Sequence, residues 1–252
     1  MLHGFFDDSG KESESANRIV CIGGYVSGSA QVWNGLAELW KNFLLKHDLE
    51  WLHMKDFMCE DSSEYAYLGW DWPKKRAVLE DFSSAIKISQ IIGFGVAVDA
   101  DGWRQLPPEF VKKHGTCQEF CFTLILQMVV ERMKRSTPDE RISILFDCDR
   151  GFTPARFQRY LRFRDNVPDA DRFLCGFTVG EPKVFLPLQA ADLLAWEVRK
   201  DVMRRISGFE SRPEFQHLMM VLPGFFPDYT LRFLGADDLK FMLDEMDKTP
   251  RL

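Results

Sequence analysis

Acids at three places in this chain stand out from their surroundings. FFDDSG, residues 5–10, ends a short apolar run with the adjacent carboxylates Asp7 and Asp8, then Ser9 and Gly10. Asp, Ser and Gly after an apolar run are how a strand ordinarily gives way to a turn, so a solvated turn and a metal site are both open here. Asp147 closes ISILFD, the carboxyl end of a predicted interior strand, where open α/β sheets tend to bind ligands. A helix cap or a turn is the plain alternative. In FLPLQAADLLAW, residues 185–196, only Gln189 and Asp192 are polar, and they lie three apart on one helical face with Leu188, Leu193 and Trp196. A carboxylate in that stripe is costly to bury unless a metal, a cation or several hydrogen bonds compensate it. Pairing with Arg150 or Arg199 is the alternative.

Other groups could assist. His53 and Lys55 in LHMKDF alternate on a predicted strand, which puts both on one side, with Asp56 just beyond. His53 suits a proton shuttle or a base beside a metal, and Lys55 suits a phosphate; a structural histidine at a strand edge explains the pattern equally well. Asp149 follows Asp147 by two and is a reserve ligand if the strand continues, whereas Gly151 and Thr153 suggest that the chain turns away.

The elements that must position these groups alternate between apolar runs and amphipathic stretches. LHGFF and RIVCIGGYV read as two strands of a hairpin, followed by a helix over 30–46 and a third strand at LEWLHM. Pro73 opens a helix to about Ile88, IIGFGVAV is a buried strand, and GTCQEFCFTLILQMVVERMKR is a long buried helix. After ISILFD come a helix near 153–165, a strand near FLCGFTV and a helix opened by Pro187. Strands first and alternation with helices later imply an α/β domain around a mixed sheet, with residues from about 207 forming a short C-terminal extension packed on the same domain.

Composition narrows the class. A chain of 252 residues, 46% hydrophobic and 28% charged, buries a large core as one domain or one domain with a small appendage. The longest apolar stretches are too short to cross a bilayer and the first residues lack the pattern of a signal peptide, so a cytoplasmic protein without membrane contact is expected. Six cysteines without a paired framework are expected to be reduced, buried thiols. A net charge of −6 argues against nonspecific binding of nucleic acid over the whole surface. Arg156, Arg159 and Arg162 nonetheless share a helical face as a local basic patch. Trp70 and Trp72 are the best exposed candidates for stacking on bases or for clamping their loop onto the body, and the segment from about Cys59 to Trp72 is long enough for a substrate lid, although a plain surface excursion accounts for it better.

DDSG after the first strand, LHMKDF, a strand ending in FD, and LQAADLLAWEVRK on a late helix together resemble the family called domain of unknown function 3800. That family looks like a branch of the ribonuclease H-like superfamily, and the resemblance spans residues 2–206. It implies a ribonuclease H-like mixed sheet flanked by helices, and an acidic triad of Asp7, Asp147 and Asp192. Gln189 and Lys183 match positions expected to support that site. The family motif has Glu where Asp8 stands, which leaves open which of Asp7 and Asp8 faces a metal. Such a triad suits a nuclease: two Mg²⁺ or Mn²⁺ ions about 4 Å apart can activate water and stabilise both reacting oxygens of a phosphodiester, and hard cations prefer carboxylate oxygen.

Two other readings compete. ILFDCDRGFT resembles the first motif of the haloacid dehalogenase superfamily, under which Asp147 would be a phosphatase nucleophile, Asp149 its acid, Lys183 a phosphoryl clamp, and Asp237 with Asp238 the Mg²⁺ holders. Arg150, where that motif prefers Gly, and the unexplained DDSG and QAAD count against it. The third reading is a noncatalytic interaction protein of a defence or toxin system. RNA or DNA is the expected partner of a nuclease, and the Phe-rich PGFFPDYTLRFL is a candidate interface for a second copy or a partner protein.

Overall fold

The computed structural model describes residues 1–10, 18–59, 67–148, 154–210, 218 and 231–248, with side chains to 244. A six-stranded mixed sheet forms its middle layer, in the order β5-β4-β1-β2-β3-β6. The strands are β1 (Leu2–Ser9), β2 (Ile19–Ser27), β3 (Ile92–Asp99), β4 (Ile142–Asp147), β5 (Leu174–Gly180) and β6 (Leu231–Leu234). β2 runs antiparallel to both of its neighbours, β1 and β3, β4 runs parallel to β1 and β5 to β4, and β6 adds a parallel edge to β3. This is the α/β mixed sheet flanked by helices that the sequence led us to expect.

Helices cover both faces. One face carries α1 (Ala30–Lys46), α2 (Met54–Met58), α3 (Trp72–Ser89) and α9 (Leu186–Ile206), sealed by Trp40, Phe57, Phe82 and Leu194. The other carries α4 (Ala100–Arg104), α5 (Pro108–His114), α6 (Cys117–Ser136), α7 (Pro154–Asn166) and α8 (Ala170–Phe173), around Phe94, Trp103, Phe122 and Phe146. The last helix, α10 (Ala236–Lys248), follows β6 and buries Leu239 in the same core. The long helices start where local chemistry says they should. Asp71 accepts from Lys74 N at the start of α3, and Thr116 and Glu119 form a reciprocal capping box at the start of α6.

Three expectations need correction. β1 does not end before the acids: Asp7 pairs with Gly23 and Asp8 with Ile22, so neither lies in a turn. LEWLHM is not a strand, because the N–H groups of Leu52 and Met54 are taken by side chains of α9 and the chain then enters α2. The strand list also gains one member, since Leu231–Leu234 of the Phe-rich segment forms the edge strand β6, which leaves its reading as an interface open; its residues 223–230 lie outside the described residues. Cys21, Cys117 and Cys121 are buried, but Cys59, Cys148 and Cys175 are exposed. No helix among the described residues is long and apolar enough to cross a membrane.

Candidate functional site

Strand alternation sorts the two N-terminal acids onto opposite faces. Phe6 belongs to the core under α6 and Phe5 packs into the core under α9. Asp7, in step with Phe5, therefore faces α9, and Asp8, in step with Phe6, faces α6 and α7. On β4 the same logic holds: Ile142, Ile144 and Phe146 fill the α6 side, so Asp147 faces the α9 side. Phe6 and Phe146 are register partners in the parallel β1–β4 pair, which makes Asp7 and Asp147 neighbours at the carboxyl ends of adjacent strands.

The third acid arrives on a helix that comes unusually close to the sheet. Gly23, the cross-strand partner of Asp7, lies under α9: a Cβ there would sit 2.6 Å from Ala195 N and 2.7 Å from its Cα. The absent side chain lets α9 approach β2, and Cys21 Sγ donates to Ala195 O at 2.9 Å beside it. Asp192 lies one turn earlier on α9 and is only 8% exposed. Its Oδ2 accepts the Met54 N–H at 2.7 Å. Gln189, fully buried, holds the same junction: Oε1 accepts from Trp40 Nε1 and Leu52 N, each at 2.9 Å, and Nε2 donates to Pro182 O at 2.8 Å. Its role is to fasten α9 to α1 and to the chain entering α2.

The electrostatics show how closely these acids communicate. Burial, then repulsion from Asp192, Asp147 and Asp8, pushes the Asp7 carboxyl well above the usual carboxylate range, against one stabilising N–H from Asp8 at 2.7 Å. Asp192 is pushed up to about 6, chiefly by burial; His53 and the Met54 N–H pull it down, while Asp56 and Asp8 push it further up. Among the described residues, no three His, Cys, Asp or Glu side chains are drawn together into a metal-holding group. What Asp7, Asp147 and Asp192 share is carboxylate oxygen brought from three elements, the donor type that hard divalent cations prefer, with Asp7 repelled by the other two.

His53 and Asp56 come to the same place by a route other than the expected strand. His53 precedes α2, so the spacing of three brings its Nδ1 to Asp56 Oδ2 at 2.7 Å, and its ring stacks on Trp51 at 4.9 Å. Asp56 is the group that sequence reasoning undervalued; the i, i+3 spacing identifies it once the segment is read as helical. Lys55 is exposed, in the first turn of α2. Lys183 pairs with Glu50 at 2.8 Å and lies over the Trp51 ring at 5.0 Å, 48% exposed. Asp149 lies outside the described residues, as does much of the proposed lid between Cys59 and Trp72.

Several other candidates are placed elsewhere. Trp70 packs edge-on against Phe57 and Tyr67 beneath Lys74, fastening its own segment. Trp72 lines a separate cavity of about 240 Å³ between α3 and α9 that shares no residue with the acidic cluster. Arg156 and Arg159 do not form an open basic patch, because they pair with Asp8 and Glu119. The phosphatase constellation is not assembled either. Asp237 and Asp238 open α10 beyond β6, four strands from Asp147, or about 19 Å at ordinary strand spacing.

No family model matches this chain, and no curated protein matches it in sequence. Among solved structures it is similar to a chain of the PCNA:RNase HII complex from Archaeoglobus fulgidus, with 11% identity, 87% of each chain covered and a TM-score of 0.41.

Proposed function

We propose that this protein is a nuclease that hydrolyses phosphodiester bonds of RNA or DNA with Mg²⁺ or Mn²⁺, and that Asp7, Asp147 and Asp192 hold the metal. The observation that carries this reading is the placement of Asp7 and Asp147 at the carboxyl ends of adjacent strands, with Asp192 on the helix that docks against Gly23; burial first, and then repulsion from Asp192 and Asp147, raises the Asp7 carboxyl. Buried like charges destabilise a fold, and carboxylates perturbed in this way mark functional sites more often than ordinary surface pairs do. The resemblance of DDSG, LHMKDF and LQAADLLAWEVRK to the domain of unknown function 3800 supports the same assignment.

Bound divalent ions would neutralise charge on the reacting phosphate and acidify the attacking water. The chain's own groups prepare that chemistry. The Met54 N–H orients the Asp192 carboxylate, and Gln189 holds α9 against the segment that carries His53. Asp56 accepts the proton on His53 Nδ1, which leaves Nε2 as the basic nitrogen. His53 Nε2 is then placed to pass a proton to or from a reacting oxygen.

The test pairs metal binding with turnover. Purified protein should gain thermal stability with Mn²⁺ and cleave single- or double-stranded RNA or DNA only when the metal is present, and Asp192→Asn should lose both properties while remaining folded. Full activity in the Asp192→Asn protein would reject the assignment.

A further inference from the structure

Behind β1, on the face opposite Asp7, a buried ion pair plays no part in the chemistry above. Arg156 Nη2 donates to Asp8 Oδ2, and both side chains are about nine-tenths buried. Gln118 Nε2 also reaches Asp8 Oδ2, at 3.5 Å. The Arg156 guanidinium lies 5.1 Å from the centroid of the Phe146 ring. One side chain thus grips β1 at the residue after Asp7 and β4 at the residue before Asp147.

The sheet leaves this work undone. The β1–β4 register ends at Phe6 with Phe146. β1 continues beyond that rung only with β2, as far as Ser9 opposite Cys21, and β4 only with β5, as far as Asp147 opposite Gly180. Asp7 and Asp147 therefore sit just past the last rung joining their own strands, where mutual repulsion would drive the ends apart. Arg156 spans that gap from the rear.

We infer that Asp8 and Arg156 are a positioning pair that sets the separation of Asp7 and Asp147, and that Asp8 is not itself a metal ligand. This rests on the nuclease reading, because the separation matters through the metal that the two acids would share. Asp8 faces away from the site and its carboxylate is engaged by Arg156 and Gln118. An ammonium in place of the guanidinium keeps the charge but loses the planar fork and the stacking on Phe146. Outlying groups that orient metal ligands typically change affinity by about 10- to 100-fold.

The experiment measures Mn²⁺ affinity by titration calorimetry and metal-free melting in EDTA for four variants. The double variant Asp8→Asn/Arg156→Met removes both buried charges together and so avoids stranding one. It should melt near the wild-type temperature without metal yet bind Mn²⁺ at least tenfold more weakly. Arg156→Lys should fall between the two, Asp7→Asn should bind no Mn²⁺, and Gln118→Ala should weaken binding less than the double variant does. Wild-type affinity in the double variant overturns the inference, as does a loss of binding as complete as that of Asp7→Asn, which would make Asp8 a ligand. Wild-type protein that takes up no Mn²⁺ overturns the nuclease reading itself, and the inference with it.

Discussion

Replacing Asp192 by Asn should make the metal-free protein more stable at neutral pH. Asp192 is pushed up to about 6, mainly by burial, against about 3.9 in an unfolded chain. The folded state therefore holds more protons than the unfolded state between these values. The group opposes folding increasingly as pH rises from about 4 to 6, and above that the full difference of about two units is worth about 3 kcal/mol. Asn carries no charge and keeps an oxygen for the Met54 N–H, now bonded at 2.7 Å, though a neutral acceptor forms a bond weaker by about 1 kcal/mol. The net gain is about 2 kcal/mol at pH 8 and vanishes or reverses near pH 4. For a domain of this size that corresponds to a rise of about 4–8 °C in melting temperature. The assay is thermal melting of both proteins in EDTA at pH 4.5 and pH 8, then in Mn²⁺. At 100 times its Kd, Mn²⁺ should stabilise wild type by about 2.7 kcal/mol and the variant not at all. An Asn variant that is less stable than wild type in EDTA at both pH values would refute the electrostatic reasoning.

Gln189→Ala strands the buried Trp40 Nε1, the Leu52 N–H and the Pro182 carbonyl; it should cost about 3–5 kcal/mol in denaturant unfolding. Gly23→Ala drives a methyl into the backbone of α9 at Ala195; it should lower stability by about 3 kcal/mol and weaken Mn²⁺ binding, because Asp192 rides on the displaced helix. Asp56→Asn removes the carboxylate that orients His53 at 2.7 Å. Because it is partly exposed, it should reduce kcat by about tenfold with little change in melting temperature, and His53→Ala should reduce kcat by about 100-fold.

Much of this architecture was legible in the chain. Apolar periodicity located β1, β2, β3, β4 and β5 and the helices α1, α3, α6, α7 and α9 to within a few residues, because each buries a face whose repeat is local. An isolated carboxylate in an apolar helical stripe marked Asp192 for the same reason: burial without compensation is costly wherever the helix docks. LEWLHM was misread because its strand-like apolar pattern is overridden by Gln189 and Asp192, 137 and 138 residues away, which take the backbone N–H groups of Leu52 and Met54. The same distance hid the placement of Asp56 beside His53.

The choice between Asp7 and Asp8 shows the limit most clearly. Their alternation assigns them to opposite faces, and that much is written in the chain. Which face becomes the acidic one depends on where α9 docks, and that in turn depends on Gly23 admitting its backbone and on Arg156 claiming Asp8 from the other side. A strand's period is a property of consecutive residues. The identity of its neighbours is a property of the packed molecule, because the charges that raise Asp7 come from Asp147 and Asp192, far along the chain.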